Sequence, residues 1–279
     1  MTGLLNSGVL YVVATPIGHL GDLSHRAEDV LKQVQIIAAE DTRRTRVLLE
    51  RIDHRAPELV SMHEHNEQLV QVMLIEKIKA GADVAVVSDA GTPLLNDPGY
   101  LLVQAAHAAG IKTVPIPGPC ALTAALSVCP LPCHPFRFIG FLPAKSQSRI
   151  AYLKVQLNSP EALVFLESPR RIIATLGDLD ALSKRRMMVA RELTKQYETL
   201  YVGSAQEISE RLGSNPKGEM TCVVEQGQAP AVSYDHAAVL ATLLEELPPA
   251  KAAKIAAVIC KTKKSQMYNL ALSMSKESQ

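Results

Sequence analysis

The chain has 279 residues, of which 47% are hydrophobic and 20% are charged, and its formal net charge is +1. This length favours two domains with a smaller appendage, in a protein of ordinary globular composition. The near-neutral charge excludes a strongly basic protein, and no uncharged apolar run is long enough to cross a bilayer, so no membrane partner is expected.

The first strand is predicted over residues 8–14, and no basic segment precedes it, so no signal peptide is expected and the predicted location is cytoplasmic. A glycine-bearing turn follows, and Ser24 is predicted to cap the next helix. The five cysteines have no C-x-x-C spacing, which favours free thiols over disulfides or a zinc site. They are Cys120, Cys129, Cys133, Cys222 and Cys260.

A second short strand is predicted over residues 36–39, and residues 40–46 then open another helix. Glu40 and Asp41 stand beside Arg43 and Arg44, which suits either a solvated helix start or a substrate-binding element. Further along, His63 and His65 could share one face of an extended segment. Because further ligands at usable spacing are missing, we expect a polar substrate-binding loop there and no metal.

The central feature of the sequence is residues 83–99, where the buried strand 84–87 ends in a polar turn. A helix is predicted from Tyr100 to Gly110. Open α/β sheets bind ligands at the carboxyl ends of their strands, so the turn supplies the first candidate site residues: Ser88, Asp89, Ala90, Gly91, Thr92 and Pro93. Gly91 permits close backbone approach and Asp89 could bind an ammonium group. Alternatively, Asp89 closes the turn and Asp97 caps the helix.

A strand over residues 111–116, a third glycine turn and a helix ending before Pro130 complete the first half. Phe136, Phe138 and Phe141 alternate as in a strand that begins a second domain. Strands over 162–169, 187–195 and 219–226, with helices over 170–182 and 205–212, form a second α/β unit. The predicted domains are residues 1–120 and 121–230, followed by a helical extension over 231–279.

Two long windows contain basic but no acidic residues. They cover residues 98–160 and 248–275, and the second contains Lys251, Lys254, Lys261, Lys263 and Lys264. Such windows favour a surface that meets a polyanion, although they also arise by chance. In the second window, Ala252, Ala253, Ile255, Ala256, Val258 and Ile259 are predicted to be the apolar positions of a helix. That helix either contacts RNA or only covers apolar surface.

Nine motifs occur in a fixed order along nearly the whole chain: VVATPIG, AAEDTRRTR, HEHNE, VVSDAGTPLLNDPG, VPIPGPCALTAALS, GFLPAK, ESPRR, ARELTK and KGEMTCVVE. In this order they resemble the bacterial small-subunit ribosomal RNA ribose 2′-O-methyltransferases of the tetrapyrrole methylase-like superfamily. The resemblance implies two α/β domains with S-adenosylmethionine in the cleft between them. It also implies a homodimer that acts on a cytidine ribose in 16S rRNA of the small ribosomal subunit.

By that resemblance, the donor is held by the central turn together with Pro117, Ala121, Glu167 and Thr221. Methylation of a ribose hydroxyl needs a positioned base but no metal. The predicted catalytic residues are Glu40, Asp41 and Glu192. Residues expected to bind the substrate are Arg43, Arg44, His63, His65, Arg191 and Lys195.

Two alternatives remain open at this point. A methyltransferase acting on a tetrapyrrole would share the fold, and its acceptor is a flat polyanion that needs a wide cleft. A non-catalytic RNA-binding assembly factor would use the cleft only to sense a small ligand. The basic windows favour RNA over a tetrapyrrole, and the glycine turns favour an enzyme.

Overall fold

The computed structural model describes residues 7–54, 57–228 and 234–277. The chain divides into two compact units, residues 1–228 and 229–279. The first unit contains two five-stranded sheets and the second is helical, so the predicted α/β class with a helical extension is confirmed. Within the described ranges, no helix is long and apolar enough to cross a membrane.

The first sheet contains five parallel strands: β1 Leu10–Val13, β2 Ile36–Ala39, β3 Glu58–Ser61, β4 Val84–Val87 and β5 Thr113–Ile116. Their spatial order is β3-β2-β4-β1-β5. Because all five run in the same direction, the turns after β1, β2, β4 and β5 meet at one edge of the sheet.

Helices cover both faces of this sheet: α1 His25–Gln33, α2 Thr42–Arg51, α3 Glu67–Lys79 and α4 Tyr100–Ala108. Alternate strand residues point to opposite faces; Ile37 packs with α1 and α2, and Ile36 packs with α3 and α4. This double coverage explains why β2 and β4 are apolar at every position. Ser24 caps α1 by accepting a hydrogen bond from the Ala27 amide at 3.1 Å, as predicted.

The second sheet contains β6 Phe136–Phe141, β7 Ala162–Glu167, β8 Met187–Arg191, β9 Thr199–Gly203 and β10 Met220–Val224, in the order β6-β7-β10-β8-β9. Only β6 and β7 run parallel. One face packs against α6 Ser146–Leu157, α7 Ile172–Leu182 and α8 Ala205–Leu212. The other face packs against α5 Ala121–Ser127. The boundary predicted at residue 120 stays a prediction.

The C-terminal unit has three helices, α9 His236–Leu244, α10 Pro249–Ile259 and α11 Lys264–Glu277, around its own small core. The helix α10 contains all six of the predicted apolar positions. Ala252, Ala253 and Ala256 are buried, whereas Ile255, Val258 and Ile259 have exposed side chains. The alanine face of α10 packs against the neighbouring helices, and the larger apolar side chains lie on its opposite face.

Candidate functional site

A cavity of about 420 Å³ lies between the carboxyl edge of the first sheet and the second sheet. Two of its turns are joined directly, because Thr15 and Gly91 exchange backbone hydrogen bonds at 2.9 and 3.0 Å. Nine predicted site residues line the cavity, namely Glu40, Arg44, Asp89, Ala90, Gly91, Thr92, Ala121, Glu167 and Thr221. The sequence therefore located most of the residues on the first-sheet side of this cavity.

Three of the carboxylates that line the cavity come from the turns of the first sheet: Glu40, Asp89 and Asp97. Burial raises the pKa of Glu40, and the negative charge of Asp89 raises it further. Burial also raises the pKa of Asp97 to about 6, with smaller contributions from the charges of Glu40 and Asp89. Of the three, Asp89 is held most firmly by other groups. Its carboxylate accepts a hydrogen bond from the Asp41 amide at 2.9 Å and forms an ion pair with Arg44 at 3.3 Å. This acidic cluster favours a cationic ligand.

The second sheet supplies an apolar wall and one buried carboxylate. Leu166, Phe138 and Phe141 line the cavity on this side. The Glu167 carboxylate accepts hydrogen bonds from the Thr175 hydroxyl at 2.8 Å and the Ser168 amide at 2.7 Å, and it pairs with Arg171 at 2.6 Å. Because these donors occupy both carboxylate oxygens, Glu167 is suited to fixing the wall of the cavity.

The loop after β8 packs against the first turn of the first sheet. The His19 amide donates to the Thr194 hydroxyl at 3.0 Å, and a side chain at Gly18 would collide with Lys195. Lys195 pairs with Glu192 at 3.0 Å and Glu219 at 2.9 Å. These partners outweigh the effect of burial, so the pKa of Lys195 is raised and that of Glu192 is lowered. The pairing favours a structural role for both residues.

Asp41 lies outside the cavity and is committed elsewhere. Its carboxylate caps α2 through the Arg43 amide at 2.9 Å and binds the Arg43 guanidinium at 2.7 and 3.0 Å. The hydrogen bonds from Arg43 hold the pKa of Asp41 far below its usual range. A carboxylate with so low a pKa is a poor proton acceptor.

The remaining predicted residues also lie outside the cavity lining. Ser88 is buried beneath the central turn, where its hydroxyl donates to the carbonyls of Ala90 and Gly91 at 3.3 Å. Pro93 is buried, Pro117 is exposed, and Arg43 is a surface side chain. His63 and His65 lie on an exposed loop with their rings 5.9 Å apart. Arg191 donates to the Lys217 carbonyl at 2.6 Å.

Several residues that line the cavity were not predicted from the sequence, and Asp97 is one of them. Asp97 was considered as a helix cap, but the N-cap position of α4 is Gly99, with no side-chain cap. The amides of Gly99 and Leu101 instead donate to the buried carboxylate of Glu67 at 3.0 and 2.8 Å. The signal that could have identified Asp97 is its position in the same polar turn as Asp89. Leu95, Asn96, Phe138, Phe141, Glu219 and Met220 were missed as well.

The cavity suits a ligand that is cationic at one end and apolar at the other. Glu40, Asp89 and Asp97 line it from the first sheet, and Phe138 and Phe141 line it from the second, whose own carboxylates, Glu167 and Glu219, are paired with Arg171 and Lys195. Within residues 7–54, 57–228 and 234–277, no cluster of three or more His, Cys, Asp or Glu side chains could hold a metal ion. The carboxylates on the first-sheet side favour a ligand with a positive charge.

Comparison with known proteins gives the family. Residues 9–209 match the Tetrapyrrole (Corrin/Porphyrin) Methylases, and residues 230–275 match the RsmI C-terminal HTH domain. A relative from Escherichia coli O157:H7 named Ribosomal RNA small subunit methyltransferase I is 44% identical over 274 residues, which cover 96% of each chain. A relative of the same name from Pseudomonas aeruginosa is 42% identical over 277 residues, or 96% of this chain and 98% of the relative.

A solved structure with the same fold is uroporphyrin-III C-methyltransferase from Thermus thermophilus, complexed with S-adenosyl homocysteine. It has a TM-score of 0.56 and 17% identity, and the match covers 78% of this chain and 98% of that chain. The sequence relatives are much more similar, and they extend through the C-terminal unit. This chain therefore belongs to the ribosomal RNA small subunit methyltransferase I family of the tetrapyrrole methylases.

Proposed function

We propose that this chain uses S-adenosylmethionine to methylate the ribose 2′-oxygen of a cytidine in the decoding region of 16S rRNA, in the cytoplasm. The observation that carries the proposal is the 44% identity to a ribosomal RNA small subunit methyltransferase I over 96% of the chain. A match of that length includes both the acid-lined cavity and the C-terminal unit. The ordered motifs of the sequence support the ribose 2′-oxygen as the acceptor atom.

The cavity residues are suited to the methyl donor. When bound, S-adenosylmethionine supplies a methyl group activated by a positive sulfur. Asp89 and Glu40 would favour its cationic groups, and Phe138 and Phe141 would contact its apolar part. The left-handed backbone at Gly91, with φ of +85°, supports close approach of the turn to the ligand.

Among the predicted catalytic residues, Glu40 has the best position. It lines the cavity and its pKa is raised by burial, so it binds a proton more readily than an exposed carboxylate. Asp41 and Glu192 are held in ion pairs by Arg43 and Lys195. We therefore assign Asp41 and Glu192 to structural support and keep Glu40 at the reaction centre.

Phosphate contacts are expected at the mouth of the cavity. The side chains of Arg43 and Arg44 are 86% and 64% exposed at the start of α2, beside the acidic cluster. Arginines in this position can bind RNA phosphates without taking part in the chemistry. The tetrapyrrole alternative shares this fold, but the names of the sequence relatives and the C-terminal match favour RNA.

We also propose a homodimer that forms through α3 and α4. Leu69 and Val72 on α3 and Tyr100 on α4 expose 79%, 62% and 63% of their surfaces. Large exposed apolar side chains grouped on two packed helices are typical of a protein interface. A second copy of the chain is the occupant that the family resemblance implies.

The function is tested with the purified full chain, labelled S-adenosylmethionine and small ribosomal subunits from cells that lack the modification. We expect label on a single cytidine ribose of 16S rRNA, mapped by nuclease digestion and mass spectrometry. Small subunits that already carry the methyl group serve as the matched control and should take up no label. Label on a base, on a different RNA or nowhere would contradict the proposal.

A further inference from the structure

Asp97 lies in the loop that joins β4 to α4, and it lines the cavity together with Glu40 and Asp89. Leu94 and Asn96, which both precede it in the loop, have φ of +72° and +68°, a conformation that non-glycine residues rarely adopt. Asn96 also lies so close to Gly140 that an added Cβ there would be 2.7 Å from its side-chain oxygen. Surrounding contacts therefore define the conformation of this loop and the position of Asp97.

The loop is also fixed at its far end. The buried carboxylate of Glu67 accepts the amides of Gly99 and Leu101, which hold the start of α4 in place. Asp97 stands two residues before Gly99. A side chain on so well anchored a segment can keep a constant position relative to a ligand in the cavity.

Among the carboxylates that line the cavity, Asp97 and Glu40 are the two without an ion pair in the described part of the chain, and Glu40 accepts the Asp89 amide at 3.4 Å. Asp89 pairs with Arg44, and Glu167 is saturated by three donors. Among the described residues, Asp97 forms no ion pair, and the hydroxyl of Ser88 is the group that favours its charged form. Its carboxylate is thus available to accept a proton from a ligand.

The proton affinity of Asp97 fits such a role. Burial raises its pKa to about 6, and the charges of Glu40 and Asp89 add to the effect. The pKa of Glu40 is itself raised by burial and by the charges of Asp89 and Glu64, while the charge of Arg44 lowers it. At pH 7 a carboxylate with this pKa is mostly ionised, yet it is a stronger base than an ordinary aspartate.

We propose that Asp97 is the general base that takes the proton from the ribose 2′-hydroxyl during methyl transfer. This assignment rests on the proposed function. In the step, the 2′-oxygen forms a bond to the methyl carbon while the carbon–sulfur bond breaks, and its electron pair stays on sulfur. The hydroxyl proton passes to the Asp97 carboxylate and then to solvent. Glu40 and Asp89 raise the basicity of Asp97 through their negative charge.

The first test compares the native chain with Asp97→Asn in single-turnover methylation of small subunits at saturating donor. We expect a rate loss of about 10² to 10⁴-fold, the usual contribution of a positioned base. Calorimetry with S-adenosylhomocysteine should give Kd values within about threefold of each other and would confirm that the variant is folded. Asp180→Asn, which alters a surface pair with Lys184 at 3.0 Å, is the matched control and should retain the native rate.

The second test follows pH. The kcat/KM of the native chain should fall about tenfold per unit below a midpoint near pH 6, because protonated Asp97 cannot accept a proton. Asp97→Asn should lose this dependence, while Asp97→Glu should recover part of the rate and keep a pH midpoint. Carbon-13 NMR of labelled aspartate should give a midpoint near pH 6 that disappears in Asp97→Asn.

Three results would overturn the assignment. One is an Asp97→Asn rate within threefold of the native rate. Another is a loss that only reflects weaker donor binding and disappears at saturating donor. The third is an unchanged pH profile in the variant. If the native chain itself leaves the ribose unmethylated, the proposed function fails and this assignment fails with it, whereas equal methylation by both chains overturns the role of Asp97 alone.

Discussion

Gly91 combines two constraints at a single residue. Its φ of +85° lies in the left-handed region, and an added Cβ would be 3.2 Å from the Ile17 side chain. Its amide and carbonyl are both bonded to Thr15. A larger residue would therefore disturb two turns that together form one end of the cavity.

We expect Gly91→Val to weaken donor binding and also to lower the free energy of unfolding, by about 1–2 kcal/mol for the left-handed backbone alone. The close contact with Ile17, which the sequence does not reveal, adds to the loss of stability. Calorimetry with S-adenosylhomocysteine and urea unfolding measure the two effects.

The matched control for that variant is Gly177→Ala. Gly177 lies inside α7, and nothing stands within 4 Å of an added Cβ. Alanine there should raise the free energy of unfolding by about 0.5–1 kcal/mol and leave binding unchanged. Unaltered donor affinity in Gly91→Val would remove the central turn from the donor site.

The sequence predicted the first-sheet side of the site better than the second-sheet side. Glu40, Asp89 and Gly91 lie in the turns that follow buried parallel strands, and the topology of such a sheet brings strand ends together. Asp97 depends on the conformation of a long turn, which sequence periodicity does not define. Phe138 and Phe141 enter through the packing of the two sheets, which no local pattern predicts.

At the level of whole elements, the strongly patterned segments were predicted correctly and the weakly patterned ones were missed. The predicted strands over 36–39 and 84–87 match β2 and β4 residue for residue. Missed elements include α3, which has apolar residues on both its buried and its exposed faces, and α6. The edge strands β3 and β9 were also missed, because their partly exposed sequences lack a continuous apolar run.

The contact between α3 and α4 gives a prediction for Glu67. Glu67→Ala removes the acceptor for two amides at the start of α4, and the desolvated donors should cost about 1–3 kcal/mol of the free energy of unfolding. Urea unfolding measures this cost. Glu76→Ala on the same helix loses only an exposed pair with Lys79 and should change the stability by less than about 0.5 kcal/mol. Equal effects of the two variants would refute the capping role of Glu67.

At the scale of the whole molecule, the proposed dimer predicts a clear effect of Leu69→Glu. Leu69 is 79% exposed, so a charge at this position should have little effect on the fold of one subunit. At a symmetric interface the same change brings two carboxylates into an apolar surface, and sedimentation velocity should show monomers. Val155→Glu on α6, a site that is 66% exposed, is the control and should leave the dimer intact. A monomeric native chain would contradict the dimer.

The C-terminal unit has a basic turn between α10 and α11. Lys261, Lys263 and Lys264 are all exposed there, and Lys251 and Lys254 lie exposed on α10. No acidic residue occurs between positions 248 and 275 to offset their charge. Lysines arranged in this way can contact a phosphate backbone, while the alanine core of the unit remains undisturbed.

Replacing Lys261, Lys263 and Lys264 together by glutamate should weaken binding to small subunits without changing the affinity for S-adenosylhomocysteine or the melting temperature. Binding of the native chain should weaken as salt rises, because phosphate contacts release counterions. If each lysine contacts one phosphate, the slope of log K against log salt should decrease by about three in the variant. Glutamate at Lys32, Lys79 and Lys184, which already pair with carboxylates, changes the net charge equally and should leave the slope unaltered. If the variant with glutamate at Lys261, Lys263 and Lys264 binds small subunits with the native affinity and the native salt dependence, the C-terminal unit only covers apolar surface.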